Sequence, residues 1–264
     1  MLDVFRAIWR YRGFIAGSVK REFQLKYRNS LLGAAWTLLN PLAMISVYTV
    51  VFAEIMRSRL PGVESRFAYS IYLCAGILAW GLFAEIVGRS QTMFLDNANL
   101  IKKLQFPRLC LPVIVLVNAA LNFAIIFGIF TAFLVVSGNF PGKVFFTLPL
   151  VWAVQILFAL GLGVLLGVLN VFFRDVGQLF TIVIQFWFWL TPIVYSVRIL
   201  PEAMQRLIRL NPMTPLVGAY QSVLVNGKSP DWSSLLPVFA LAVVLCALGM
   251  RLFRKRVGEM VDEL

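Results

Sequence analysis

The sequence contains no histidine, only three cysteines, and only 12 aspartate and glutamate residues among 264. Without histidine, the usual general base and the commonest metal ligand are missing. Cys74, Cys110 and Cys246 lie in or beside apolar stretches with no metal-binding or redox spacing, which favours packing roles. These absences argue against metalloenzymes, cysteine nucleophiles and catalytic triads, and they predict no catalytic residue, metal or cofactor in this chain.

The composition is that of a membrane protein. Hydrophobic residues make up 60% of the chain and charged residues 14%, and the mean hydropathy is +0.84. The net charge of +12 comes from basic residues in short gaps between apolar runs, where they set topology, and not from one continuous basic stripe. Seven basic residues also interrupt the first 30 positions, so no signal peptide is predicted. We therefore expect a membrane protein that does not bind nucleic acid.

A helix needs about 20 mostly apolar residues to cross a bilayer, and six stretches of the sequence meet this requirement. The sequence predicts an all-α, polytopic membrane protein with one transmembrane domain over residues 1–264. Its predicted spans are residues 31–55, 70–88, 111–137, 146–173, 179–195 and 235–253.

The basic residues also predict an orientation. If the N-terminus is inside, the inner segments carry 16 lysines and arginines and the outer segments carry 8. Positive charge is enriched on the cytoplasmic side of membrane proteins. We therefore expect a multi-pass protein of the bacterial inner membrane with both termini in the cytoplasm.

Two segments outside the spans have a mixed character. Residues 1–30 combine aromatic and basic side chains, which is typical of an amphipathic helix at the lipid headgroups, although an ordinary basic flank would look similar. Residues 196–234 are apolar but contain four prolines. This outer stretch is predicted to form short re-entrant helices between spans 5 and 6.

The chain lacks a phosphate-binding loop. Gly227, Lys228 and Ser229 resemble the end of one, but Ser222 stands where the pattern needs glycine. ATP-driven work would therefore need a partner subunit.

Glu85, at the end of the second predicted span, is expected to pair with Arg89 four residues later, which argues against ion-coupled transport.

A run of four aromatics, Phe186 to Trp189, precedes Pro192, and Tyr195 follows it. Such a run is typical of a lipid-facing belt, but four consecutive aromatics cover every side of a helix and some must face inward. Inward rings would suit sugars, whose C–H faces stack on aromatic rings. The candidate path residues are Trp36, Tyr48, Phe52, Phe186, Trp187, Phe188, Trp189 and Tyr195.

Residues 89–107 alternate apolar and polar positions and end at a proline. A short amphipathic helix of this kind either lies on the membrane or docks into a groove of a soluble partner. The pattern alone leaves both alternatives open.

Several stretches, in order along nearly the whole chain, resemble the type-2 ABC exporter permeases that move O-antigen, teichoic acid and capsule chains. They are residues 27–33 (YRNSLLG), 99–108 (NLIKKLQFPR), 173–176 (FRDV), 192–195 (PIVY) and 211–215 (NPMTP). Within that family, O-antigen exporter permeases are the most similar.

The resemblance implies a homodimer working with two ABC ATPase subunits, which would hold ATP and Mg²⁺. Its substrate would be a polysaccharide on undecaprenyl diphosphate, as in lipopolysaccharide biosynthesis, and spans 1 and 5 would line the channel. ATPase docking is implied for Asn99, Leu100, Lys102, Lys103, Phe106 and Arg108. Contact with the lipid diphosphate is expected for Lys20, Arg21, Lys26 and Arg28. The alternatives are a type-2 ABC permease for a drug or lipid, a non-ABC membrane enzyme, or a passive channel.

Overall fold

The computed structural model describes residues 9–27, 35–48, 50, 67–103, 108, 110–197 and 200–263. Every regular element among these residues is helical. The α-helices are α1 (Arg12–Tyr27), α2 (Trp36–Tyr48), α3 (Ala68–Asp96), α4 (Ala98–Lys103), α5 (Cys110–Val136), α6 (Leu148–Phe172), α7 (Asp175–Leu190), α8 (Glu202–Arg209), α9 (Met213–Asn226), α10 (Trp232–Arg256) and α11 (Glu259–Glu263), and a 3₁₀ helix (Gly142–Thr147) leads into α6. The predicted all-α class is confirmed.

Four of the predicted spans correspond to helices long and apolar enough to cross a membrane. These helices cover Ala68–Asp96, Cys110–Val136, Gly142–Phe172 and Trp232–Arg256, with mean hydropathies of 1.8 to 2.5. They match the second, third, fourth and sixth predicted spans. The second runs eight residues past its predicted end at residue 88, so the helix continues well beyond the apolar stretch. The chain is a multi-pass membrane protein.

The first and fifth predicted spans have a different outcome. In the first, the described helix is α2, with 13 residues, and Pro41 lies inside it. In the fifth, α7 has 16 residues. It begins four residues before the predicted start at residue 179 and ends five residues before the predicted end at residue 195. At 1.5 Å per residue α7 is about 24 Å long, which is less than the bilayer core.

Pro192 explains where α7 ends. Thr191 is extended, with φ −101° and ψ 134°. Proline disfavours the helical conformation of the residue before it because its ring clashes with that residue's backbone. Pro192 therefore terminates the helix, although the predicted span continued through it to residue 195.

Helices α3 and α6 form the centre of the bundle and pack through glycines. A Cβ added at Gly163 would lie 2.5 Å from Cβ of Ser90, and one added at Gly167 would lie 2.5 Å from the Ser90 carbonyl oxygen. With Ala159, these two glycines form a row of small residues at intervals of four, which is typical of a face for close helix packing. The partner of the two glycines is α3, whose backbone can approach because these positions lack side chains.

Helix α10 packs on α6 by a similar device. A Cβ at Gly161 would lie only 2.8 Å from the backbone nitrogen of Cys246. The first turn of α10 is capped by Asp231, which accepts a hydrogen bond from the Ser233 backbone N–H at 3.1 Å. The Ser233 hydroxyl donates to the same carboxylate oxygen. The bonds from the hydroxyl and from the backbone N–H of Ser233 lower the pKa of the Asp231 carboxyl from its usual value.

The predicted re-entrant stretch contains two short helices. Helix α8 buries none of its residues, whereas α9 packs deeply against α3 and α6. The Tyr220 hydroxyl of α9 donates to Oε1 of Gln155 at 2.7 Å, and the Gln155 amide donates to the Ala79 carbonyl at 2.6 Å. Gln155 is the eighth residue of α6, so α9 reaches about 10 Å into the bundle.

The Gly227-Lys228-Ser229 tripeptide follows a helix instead of opening one. Gly227 has φ +60° and ends α9, while the backbone N–H of Lys228 donates to the Ser222 carbonyl at 3.1 Å. This is a glycine C-cap. A phosphate-binding loop presents its N–H groups at the start of a helix, so these three residues do not form one.

Candidate translocation surface

The aromatic run in α7 is divided between two faces. Phe186 and Trp189 are both 66% exposed, while Trp187 and Phe188 are half-buried against the bundle. Consecutive residues of a helix point about 100° apart, so this division follows from the geometry of the helix. The predicted path residues of α7 therefore do not share one surface.

Trp187 belongs to the interior. Its indole Nε1 donates to Oδ1 of Asn211 at 2.7 Å, and its ring meets those of Phe83 and Phe158 edge-on at centroid distances of 5.2 and 6.5 Å. The Phe188 ring meets the Trp80 ring edge-on at 5.7 Å. Edge-to-face pairs of this kind stabilise an aromatic core. Both residues have contacts that attach α7 to α3.

The other face of α7 is exposed and mixed in polarity. Gln185 lies beside Phe186 and Trp189 on this face, with Gln178 nearer the start of the helix and Ile182 between them. An amide directed into hydrocarbon is costly because nothing there can hydrogen-bond to it. Exposed glutamines beside exposed rings therefore favour a water-accessible surface over a purely lipid-facing belt.

The chain after α7 is held against α3 by two tyrosines. The Tyr69 hydroxyl donates to the Val194 carbonyl at 2.8 Å, and the Tyr72 hydroxyl donates to the Tyr195 carbonyl at 2.9 Å. Ile193 is fully buried between them. Tyr195 itself is half-buried, and its hydroxyl donates back to the Trp189 carbonyl at 3.1 Å. Tyr195 thus lies next to the exposed face at its C-terminal end.

The path residues predicted in the first span are less well defined. Trp36 begins α2 and is 50% exposed. Tyr48 ends the same helix, but its side chain lies outside the described residues, as does the whole of Phe52. The structure therefore describes no contact between these residues and α7.

A charged cluster joins α1 to α3 and α5. Arg89 of α3 forms ion pairs with Glu22 of α1 and, at 3.7 Å, with Glu85. Asn118 of α5 donates to Glu22, and Asn122 donates to Glu85 at 2.8 Å. The predicted pairing of Glu85 with Arg89 is confirmed. Glu22 was missed from the sequence, although it is the only acidic residue between Asp3 and Glu54 and stands alone in a basic segment.

Four of the six predicted docking residues lie in the short helix α4. Asn99 and Lys102 are exposed, Leu100 is half-buried, and the side chains of Lys103 and Phe106 lie outside the described residues. Arg108 has a different environment, because its guanidinium donates to the carbonyl of Val257 just after α10. Asn99 and Lys102 are thus open to a partner, whereas Arg108 attaches the loop to the C-terminal helix.

Lys20 and Arg21, two of the four basic residues predicted to contact a lipid diphosphate, line different cavities. Lys20 lines a groove between α1 and α5, while Arg21 lines a cavity of about 420 Å³ beside Glu22 and Arg89. The side chain of Lys26 and the whole of Arg28 lie outside the described residues. Their role stays a prediction.

Comparison with known proteins decides the family. The profile of the ABC-2 type transporter family matches residues 15–225. The chain belongs to the ABC-2 type transporter family. The resemblance recognised in the sequence is confirmed, and the chain is a membrane transporter permease.

Its relatives within this family include polysaccharide exporters. The chain is 29% identical over 266 residues, covering all of both chains, to the O-antigen export system permease protein RfbA of Myxococcus xanthus. It is 28% identical to the protein of the same name from Klebsiella pneumoniae, over 89% of this chain and 88% of that one. The polysialic acid transport protein KpsM of Escherichia coli is 21% identical over 91% and 92% of the two chains.

Proposed function

We propose that this chain is the transmembrane channel subunit of an ATP-driven exporter. The exporter would move an undecaprenyl-diphosphate-linked polysaccharide of the O-antigen type across the bacterial inner membrane. The observation that carries the proposal is the exposed face of α7, where Gln185 lies beside Phe186 and Trp189. Rings and amides together suit a sugar polymer that moves, because stacking on rings requires no single fixed hydrogen-bond pattern.

The names of the relatives support the same substrate class. Two of them are O-antigen export permeases and one transports polysialic acid, which is also a sugar polymer. None of these three names points to a drug or a lipid as the substrate. We therefore favour polysaccharide over those substrates.

We further propose that two copies of the chain enclose the channel and that two ATPase subunits drive it from the cytoplasm. A single α7 offers one polar and aromatic surface, and a second copy facing it would complete a lining. The exposed Asn99 and Lys102 of α4 are available for the ATPase contact. With the predicted orientation, α4 and both termini lie in the cytoplasm.

Deleting the gene and following the polymer tests this function. Cells without the permease are expected to accumulate the lipid-linked polysaccharide on the cytoplasmic side, where added glycosidases reach it only after the inner membrane is opened. Re-expression of the chain should restore surface polymer, and a purified complex should contain an ATPase subunit. Normal surface polymer in the deletion strain would contradict the proposed substrate, and export without a bound ATPase would contradict the proposed energy source.

A further inference from the structure

An apolar groove of about 650 Å³ runs between α1 and α5. Its α5 wall is formed by Val113, Val117, Leu121 and Ile125, which occur at every fourth position and so share one stripe of the helix. Twelve residues separate the first from the last, so the wall is about 18 Å long. The hydrocarbon of one leaflet is roughly half of a 30 Å bilayer core. The groove thus has about the length of one extended acyl chain.

The other wall combines rings, charges and a small residue. Arg12, Ala16, Lys20 and Phe23 line it at intervals of three or four residues, so they share one stripe of α1, and Trp9 lines it from just before the helix. Ala16, in the middle, leaves the depth of the groove open. The Arg12 guanidinium lies over the Trp9 ring, 4.8 Å from its centroid, which holds the charge at the rim.

The position of this wall is fixed from the other side of α1. Glu22 pairs with Arg89 and accepts a bond from Asn118, and neither Glu22 nor Arg21 lines the groove. Helix α1 therefore has two distinct sides. One is bound to the bundle through an acid, and the other presents two basic residues above an apolar floor.

We propose that this groove binds an anionic diacyl phospholipid, with one acyl chain along α5 and the phosphate headgroup at Arg12 and Lys20. The apolar floor suits the chain, and the two cations select a negative headgroup from a zwitterionic one. An undecaprenyl chain is far longer than the wall, so a lipid of that kind does not fit the groove. The proposal does not depend on what the permease transports.

Native mass spectrometry of the purified full-length protein tests this site. The protein is exposed to equal amounts of dioleoyl phosphatidylglycerol and dioleoyl phosphatidylethanolamine, and the lipids retained in detergent are counted. The wild type should retain phosphatidylglycerol. The double variant Arg12→Gln/Lys20→Gln should lose it by roughly 25-fold, since each basic residue contributes about fivefold near an anionic surface.

Two comparisons separate the groove from general attraction. Arg10→Gln/Arg21→Gln removes the same charge outside the groove, at one position just before α1 and one within it, and should leave retention unchanged. Ala16→Trp keeps both charges but fills the depression and should abolish retention, while Ala247→Trp at an exposed position of α10 should not. The thermal unfolding midpoint of each variant is measured first and should equal that of the wild type.

Several results would overturn the proposal. Equal loss in both double variants would mean that α1 attracts anionic lipid without a site, and so would full retention in Ala16→Trp. Removal of residues 2–8 followed by increased retention would mean that the chain's own start occupies the groove. If chemical cross-linking captures a dimer of the wild type but not of Ala16→Trp, the groove is a contact between two copies of the chain. Displacement of phosphatidylglycerol by a polyprenyl diphosphate would assign it to the substrate instead.

Discussion

The indole of Trp187 donates a 2.7 Å hydrogen bond to the side-chain oxygen of Asn211, 24 positions further along the chain. The same oxygen accepts the backbone N–H of Met213 at 2.9 Å and so caps the start of α9. The Asn211 amide donates to the Thr191 hydroxyl at 3.0 Å. One side chain therefore joins the end of α7 to the beginning of α9.

Replacing Trp187 by phenylalanine should lower the stability of the permease. The ring would keep its contacts with Phe83, but Asn211 would lose a donor, which costs about 1 kcal/mol. Unfolding followed in detergent would measure the change. Trp189→Phe is the matched control, because that indole is 66% exposed, and it should change stability little. Equal effects of the two substitutions would show that the bond to Asn211 contributes nothing.

The exposed face of α7 should matter for export and not for folding. Phe186→Ala/Trp189→Ala is expected to reduce surface polysaccharide several-fold at an unchanged amount of folded protein. Phe239→Ala, at a 46% exposed position of α10, serves as the control and should export normally.

Gln185→Leu distinguishes an aqueous surface from a lipid-facing one. On an aqueous path, loss of the amide should reduce export, since the polymer loses a hydrogen-bonding group. On a lipid-facing surface the same change should leave export unchanged and stabilise the protein, because a polar group leaves the hydrocarbon. Export assays and thermal unfolding of the same variant separate these outcomes.

The close contact between α3 and α6 predicts a specific clash. Gly163→Ala would place a Cβ 2.5 Å from Cβ of Ser90 and should cost about 1–3 kcal/mol. Ser90→Gly in the same chain should recover much of the loss, because it removes the opposing atom. Gly81→Ala, with no atom near the added Cβ, should be neutral or stabilising by up to about 1 kcal/mol. A double-mutant cycle without coupling would refute the contact.

Lys102 and Arg108 should behave differently although both belong to the predicted docking set. Lys102→Glu, at an exposed position, is expected to weaken co-purification of the ATPase without lowering the unfolding temperature. Arg108→Gln should lower the unfolding temperature, since the Val257 carbonyl loses a charged donor. If Lys102→Glu leaves ATPase association and export intact, the assignment of α4 to docking is wrong.

The sequence predicted most accurately those features that depend on long apolar stretches. The helices Cys110–Val136 and Trp232–Arg256 lie within three residues of their predicted spans. A span of more than 20 apolar residues leaves little choice in lipid, where only a helix satisfies its own backbone. The end of α7 could also be predicted, since Pro192 alone disfavours a helical conformation of Thr191, although the predicted span continued through this proline to residue 195.

The orientation of the aromatic run was not accessible in the same way. Four consecutive rings carry no periodic signal, and the residue that assigns Trp187 to the interior is Asn211, far away in the chain. The glycine row had the opposite difficulty. The four-residue spacing of Gly163 and Gly167 is typical of a close helix contact. Nothing in that spacing identifies Ser90 as the residue that the glycines contact. Both features depend on tertiary contacts that local patterns do not encode.

Helix α3 has a mechanical consequence for the whole molecule. Its 29 residues extend about 44 Å, from Tyr69 and Tyr72, which hold the turn after α7, to Asp96 beside α4. Glycine contacts with α6 near Ser90 keep this rod from sliding along its neighbour. A displacement of α4 would therefore be transmitted through one continuous helix, longer than the bilayer core, to the residues that hold the turn after α7.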